Sequence, residues 1–97
     1  MPFSFLSRFR IKPERDSEFV ELIAEMEANA AAEPETLAYK FYRLDQDGGY
    51  AVFESFTDEA ADQAHQANPA SAPVIAKMLD IIDGGYTREM LYDVTPA

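Results

Sequence analysis

The chain has no cysteine, no tryptophan, one histidine, and 8 Lys and Arg against 18 Asp and Glu, which gives a formal net charge of −10. Without cysteine there is no disulfide, no thiolate nucleophile and no Cys-ligated zinc or iron–sulfur centre. A single imidazole cannot make a His-rich metal site alone. The negative charge argues against nucleic acid and anionic membrane as partners, because the phosphate attraction that drives both kinds of binding becomes repulsion. It names no partner, and a solvated acidic surface is its plain reading. No segment reaches the roughly 20 apolar residues of a bilayer-spanning helix, and MPFSFLSRFR lacks the apolar run of a signal peptide. The cytoplasm is therefore the expected compartment.

What is present is core material. Of 97 residues 47% are apolar, with 7 Phe and 5 Tyr, enough for one ordered domain spanning 1–97 but small enough that a partner subunit would add stability. Phe3 to Lys12 places Phe3, Phe5, Ser7, Phe9 and Ile11 on one side with a period of two, which predicts a strand. Ser7 is the polar member of that aromatic side, either a small residue relieving crowding or a polar group aimed into a cavity. Pro13 opens a predicted helix from about Glu14 to Ala31, whose buried stripe is Phe19, Leu22, Ile23, Met26 and Ala30. Thr36 to Leu44 and Tyr50 to Phe56 alternate again around DQDGG, a turn sequence that predicts an antiparallel hairpin.

The stretch TDEAADQAHQANPASAPVIAKMLDII, Thr57 to Ile82, predicts two helices broken at Asn68-Pro69. Thr57 or Asp58 can cap the first and Ser71 the second, with Gly84 or Gly85 ending the second in a left-handed conformation. At 100° per residue, Ala60, Ala61, Ala64, His65 and Asn68 share one side of the first helix, opposite Glu59, Asp62, Gln63 and Gln66. His65 then points inward beside alanines too small to fill the space around it. Tyr86 to Val94 alternates as a fourth strand. The order is β-α-β-β-α(α)-β, an α+β fold of the ferredoxin-like split βαββαβ type with helices on one face of a four-stranded antiparallel sheet. Leu6, Tyr42, Leu44, Phe53 and Leu91 fall on the other face, so a homodimer packed through that sheet face is expected.

The segments SRFRIKPE, YAVFESF and TDEAADQAHQANP, in a chain of this length, are together similar to the antibiotic biosynthesis monooxygenase domain, within the dimeric α+β barrel superfamily. The most specific part runs from Glu54 through Asp58, Ala60 and His65 to Pro69. The resemblance implies quinol or polyketide-anthrone oxidation by O₂ with no cofactor, in a cavity between sheet and helices. It places His65 at the family's helix histidine and Ser7 where haem-degrading relatives carry asparagine. Two departures stand out. Ala70 to Ala72 offers no second histidine after the helix break, and Ile75 sits where haem-degrading relatives place theirs, which together with the lack of tryptophan argues against haem degradation.

The expected function is a cofactor-independent monooxygenase acting with O₂ on a small quinol, phenolic or anthrone-like aromatic. His65 is its base, since imidazole accepts a proton near neutrality, and Ser7, Tyr39, Tyr50, Tyr86 and Arg88 are candidates to bind the substrate. The alternative is a non-catalytic dimer that binds or senses an apolar metabolite, with His65 a hydrogen-bonded wall residue.

Overall fold

In a computed structural model, residues 2–44 and 47–95 are described. Strand β1 (Phe3–Arg10) leads through a 3₁₀ turn at Pro13–Arg15 into helix α1 (Asp16–Ala31). The hairpin β2 (Thr36–Arg43) and β3 (Gly49–Phe56) follows, then α2 (Glu59–Ala67), α3 (Ala72–Ile81) and β4 (Thr87–Leu91). The sheet order is β2-β3-β1-β4 with every neighbour antiparallel. This is the split βαββαβ arrangement expected from the alternating runs, with helices over one face.

The period of two decides which residues meet those helices. Phe5, Ser7 and Phe9 of β1 are buried while Arg8 and Arg10, of the opposite parity, are exposed. Phe9 stacks on Tyr50 of β3, and Phe19 of α1 meets both rings edge-on. Leu22 and Met26 of α1 and Val74, Met78 and Ile81 of α3 complete this core, while Phe5, Phe56 and Ala61 form a second, smaller cluster under α2. Glu27 fixes α1 to the edge strand by accepting from the Phe41 backbone N–H at 3.1 Å.

Several boundaries differ from the sequence expectation for local reasons. Pro13 starts a 3₁₀ turn, so α1 begins at Asp16 rather than Glu14. The pairing slips between Thr36 and Ala38, which takes Leu37 out of the inward row of Tyr39 and Phe41 and leaves it exposed. Asp58 is the cap of α2, accepting from Ala61 N–H at 2.8 Å, and Ser71 makes no capping bond. Helix α3 ends at Ile81, before the glycines, because the chain there leaves to pair with the end of β1: Asp83 N–H donates to Arg10 C=O at 2.8 Å and Lys12 N–H to Ile81 C=O at 3.1 Å. Gly84 then takes φ of +86° in the approach to β4, which covers only Thr87–Leu91. In the DQDGG turn, Asp45 and Gln46 lie outside the described residues; Gly48 has φ of +73° and its C=O accepts from Ile11 N–H.

The second sheet face carries Leu6, Leu44 and Phe53 half-buried and Tyr42 and Leu91 exposed. No helix among the described residues is long and apolar enough to cross a membrane.

Candidate functional site

Between α2, α3 and the inward row of the sheet lies a cavity of about 140 Å³. Its floor is sheet, with Ser7 from β1, Tyr39 from β2, Glu54 from β3 and Arg88 from β4, and its helical wall includes His65 and Met78. Leu79 and Tyr86, both about half exposed, form part of the rim. Of the residues singled out in the sequence, His65, Ser7, Tyr39, Tyr86 and Arg88 are brought together here. Tyr50 is not. Its ring faces the same side of the sheet but lies further along β3, buried against Phe9 and Phe19, with its hydroxyl donating to Asp16 at 2.7 Å and Arg43 over its ring. That hydrogen bond and burial push the Tyr50 phenol up to about 12, burial being the larger cause.

His65 is 4% exposed and is held on both sides. Its Nδ1 lies 2.8 Å from Glu33 Oε1, and its Nε2 lies 3.8 Å from Glu54 Oε1. Glu33 sits in the connection after α1, where Thr36 Oγ1 donates to its Oε1 at 2.7 Å and Asn68 Nδ2 to its Oε2 at 2.8 Å. Burial pushes the Glu33 carboxyl up, but hydrogen bonds from Asn68, Thr36 and His65 outweigh it, so the group lies below the usual carboxylate range. Glu33 is therefore an anion at neutral pH and a pure acceptor. The imidazole must donate through Nδ1, so Nε2 is the nitrogen left to face a ligand.

The reason His65 faces the cavity is not the one the helix pattern gave. Ala60 and Ala64 are exposed; the buried side of α2 is Ala61, Asp62 and His65, rotated by about a quarter turn. His65 is flanked by the rings of Tyr39 at 4.9 Å and Phe56 at 5.4 Å. Ser7, the small residue of the inward row, lies on the floor of the cavity beside it. Asp62, assigned to the outer side by the pattern, is 3% exposed and accepts from Gln66 at 3.1 Å and Arg88 at 3.2 Å. Arg88 in turn lies 3.7 Å over the Phe5 ring.

Glu33, Glu54 and Asp62 are the functional candidates that sequence reading missed. Glu54 pairs across the sheet with Phe5 and Tyr39, in the row that faces the helices. Its side chain is 13% exposed, and burial, with Asp62 and Glu33 nearby and only Arg88 opposing, pushes its carboxyl up to about 8. The signal was available in its parity with Tyr50, Val52 and Phe56, which put a carboxyl under the helices. The same burial, with the charges of Glu54, Glu27 and Glu33, holds the Tyr39 phenol well above its ordinary value, so it stays a hydroxyl donor. Among the described residues no cluster of three His, Cys, Asp or Glu side chains has the geometry of a metal site.

A family model described as antibiotic biosynthesis monooxygenase matches residues 2–77, which span β1 through most of α3 and include His65, Glu33 and Glu54. The chain belongs to the antibiotic biosynthesis monooxygenase family. No curated protein matches it. Solved structures similar to this family member include Rv0793 from Mycobacterium tuberculosis, at 21% identity and a TM-score of 0.87 over 100% of this chain and 99% of that one. A structure described as an antibiotic biosynthesis monooxygenase is similar at 23% identity and a TM-score of 0.89, covering 98% of this chain and 100% of the other. A variant of SnoaB, a cofactor-independent oxygenase from Streptomyces nogalater, is similar at 20% identity and a TM-score of 0.78, covering 98% and 95%. At these identities the likeness is one of fold.

Proposed function

We propose that this protein is a cofactor-independent monooxygenase that oxidises a small quinol or phenolic aromatic with O₂. The observation that carries the reading is the Glu33–His65 hydrogen bond, which occupies Nδ1 of the chain's one imidazole and leaves Nε2 for a ligand in the cavity that His65 lines. Family membership and the fold shared with a cofactor-independent oxygenase support it.

Such a substrate supplies its own electrons. His65 Nε2 takes a proton from the phenolic oxygen, and the electron-rich anion passes one electron to O₂. The radical pair then couples at a ring carbon bearing hydrogen to give a C–O–O⁻ peroxide. Protonation of the peroxide, loss of that C–H proton and cleavage of the O–O bond yield a carbonyl and hydroxide, which a second proton converts to water. Two protons leave the substrate and two reach the departing oxygen, so the sequence balances without an external reductant. The protein contributes a base, a site with little water and fixed orientation, and Ser7, Tyr39, Tyr86 and Arg88 are proposed to bind the substrate oxygens. A cavity of about 140 Å³ compares with one of about 150 Å³ that accepts benzene. Volume therefore favours a single ring over a tricyclic anthrone.

The homodimer through the sheet face remains part of the proposal, supported by the apolar row of Leu6, Tyr42, Phe53 and Leu91 opposite the helices. The cytoplasm is proposed on the sequence grounds given above. A second reading, a non-catalytic module that binds an apolar metabolite, is favoured by one observation: His65 is enclosed by Tyr39 and Phe56 and hydrogen-bonded, as a purely structural histidine would be. Oxygen consumption by metal- and flavin-free protein across a panel of one-ring quinols, naphthoquinols and anthrones separates the two. Uptake that depends on a quinol supports the oxygenase; tight binding of the same compounds with no uptake supports the binding module.

A further inference from the structure

The protons that the reaction returns to oxygen need a source, and the cavity wall contains one besides His65. Glu54 lines the cavity, and two further carboxyl groups, Asp62 and Glu33, lie close enough to act on it, with Arg88 the opposing cation. Glu33 is compensated by Thr36, Asn68 and His65, and Asp62 by Arg88 and Gln66. Glu54 has neither: among the described residues no side-chain donor reaches it, and its Oε1 stands 3.8 Å from His65 Nε2, too far for a formed hydrogen bond but close enough that one ligand oxygen can touch both. We propose, resting on the oxygenase reading, that Glu54 is a catalytic acid, holding a proton in the resting protein and delivering it to the peroxide oxygen formed on the substrate.

Of the groups around it, only Arg88 opposes the protonated state. Asp62 and His65 face it from α2, Arg88 from β4, Tyr39 from β2 and Glu33 from the connection after α1. Arg88 is already bound to Asp62, and Tyr39 is a neutral phenol, so an ionised Glu54 would be a largely enclosed charge with no side-chain donor among the described residues. Burial, and then the charge of Asp62, place its carboxyl at about 8, which keeps the proton on at neutral pH. With Glu54 protonated and His65 Nε2 open to the phenolic proton, the site pairs an acid with a base. His65 takes the phenolic proton, Glu54 protonates the peroxide, the Glu54 carboxylate takes the C–H proton, and His65 gives its proton to the leaving hydroxide. Both groups end as they began. A two-group cycle of this kind is the carboxylic-acid counterpart of sites where a neutral acid is kept beside a base by its surroundings.

Glu54→Gln keeps size and a hydrogen-bond donor but has no proton to transfer. Infrared difference spectra between wild type and Glu54→Gln at pH 7 should show a protonated-carboxyl C=O band in the wild type, lost as pH rises through about 8. On the best quinol, Glu54→Gln should lower kcat by about 10²- to 10⁴-fold, with anaerobic formation of the substrate anion retained, and Glu54→Asp should recover part of the loss. The wild-type rate should fall as pH rises through about 8, a limb missing in Glu54→Gln. Absence of the carboxyl band at neutral pH, or an active wild type whose Glu54→Gln variant turns over within a few-fold, overturns the assignment while leaving the oxygenase reading intact. A wild type that oxidises nothing in the panel defeats the oxygenase reading and the acid role with it, whatever the infrared band shows.

Discussion

Replacing Glu33 by Gln tests the electrostatic anchor of the site without any knowledge of the substrate. Glu33 accepts three hydrogen bonds, at 2.7 Å from Thr36, 2.8 Å from His65 and 2.8 Å from Asn68, and its side chain is 15% exposed. Glutamine has one acceptor oxygen and one donor NH₂, so either Asn68 or the Thr36 and His65 pair must face an N–H. At least one bond to a partly buried charge is lost and the others become neutral. Hydrogen bonds to charged groups are worth about 1.5–3 kcal/mol each, and part of the loss is recovered by rotation of the Thr36 hydroxyl, so a net destabilisation of about 2–3 kcal/mol at pH 7 is expected. For a domain of this size that lowers Tm by roughly 10–20 °C, readable by circular dichroism. The sign of the pH dependence is fixed by the direction of the shift. The native carboxyl lies below its ordinary value of 4.5, so its contribution is complete above that value and disappears as pH falls through the lower native one. The gap between wild type and Glu33→Gln should close on acidification. Equal stability at pH 7, or a gap unchanged by acid, would refute the role given to Glu33.

Two other predictions concern what lies outside the cavity. Tyr50→Phe should cost about 1–2 kcal/mol through loss of the 2.7 Å bond to Asp16, while turnover stays at the wild-type level, because Tyr50 belongs to the aromatic core and not to the site; a large loss of activity at unchanged stability would contradict that placement. Sedimentation at micromolar concentration should give twice the protomer mass of 10.9 kDa, and Tyr42→Glu combined with Leu91→Glu should return it to 10.9 kDa. A wild-type monomer would sink the sheet-face dimer.

The fold was legible because its signals are local and periodic. Phe5, Phe9 and Ile11 on β1, and Tyr50, Val52 and Phe56 on β3, declare their face through a two-residue repeat that a buried sheet enforces. The site was legible only in part. Alanine is small enough to sit on either side of a helix, so Ala60 and Ala64 could not orient α2, and the rotation they implied placed Asp62 in solvent. Tyr39 and Tyr50 were both candidates, and alternation alone does not separate cavity from core, because that depends on where α1 sends Phe19 and Asp16. Glu33 lies in a connection with no periodicity to read; only the docking of α2 beside it brings Asn68 and His65 within hydrogen-bond reach.

The central claim is that His65, oriented by Glu33, removes the phenolic proton that starts oxidation of the substrate by O₂. Oxygen uptake by His65→Ala on the best quinol, compared with wild type at equal thermal stability, measures it most directly. Positioned general bases contribute about 10²- to 10⁴-fold, so uptake should fall by that order while the circular dichroism spectrum is unchanged. Uptake within a few-fold of wild type in both His65→Ala and His65→Gln would contradict the claim.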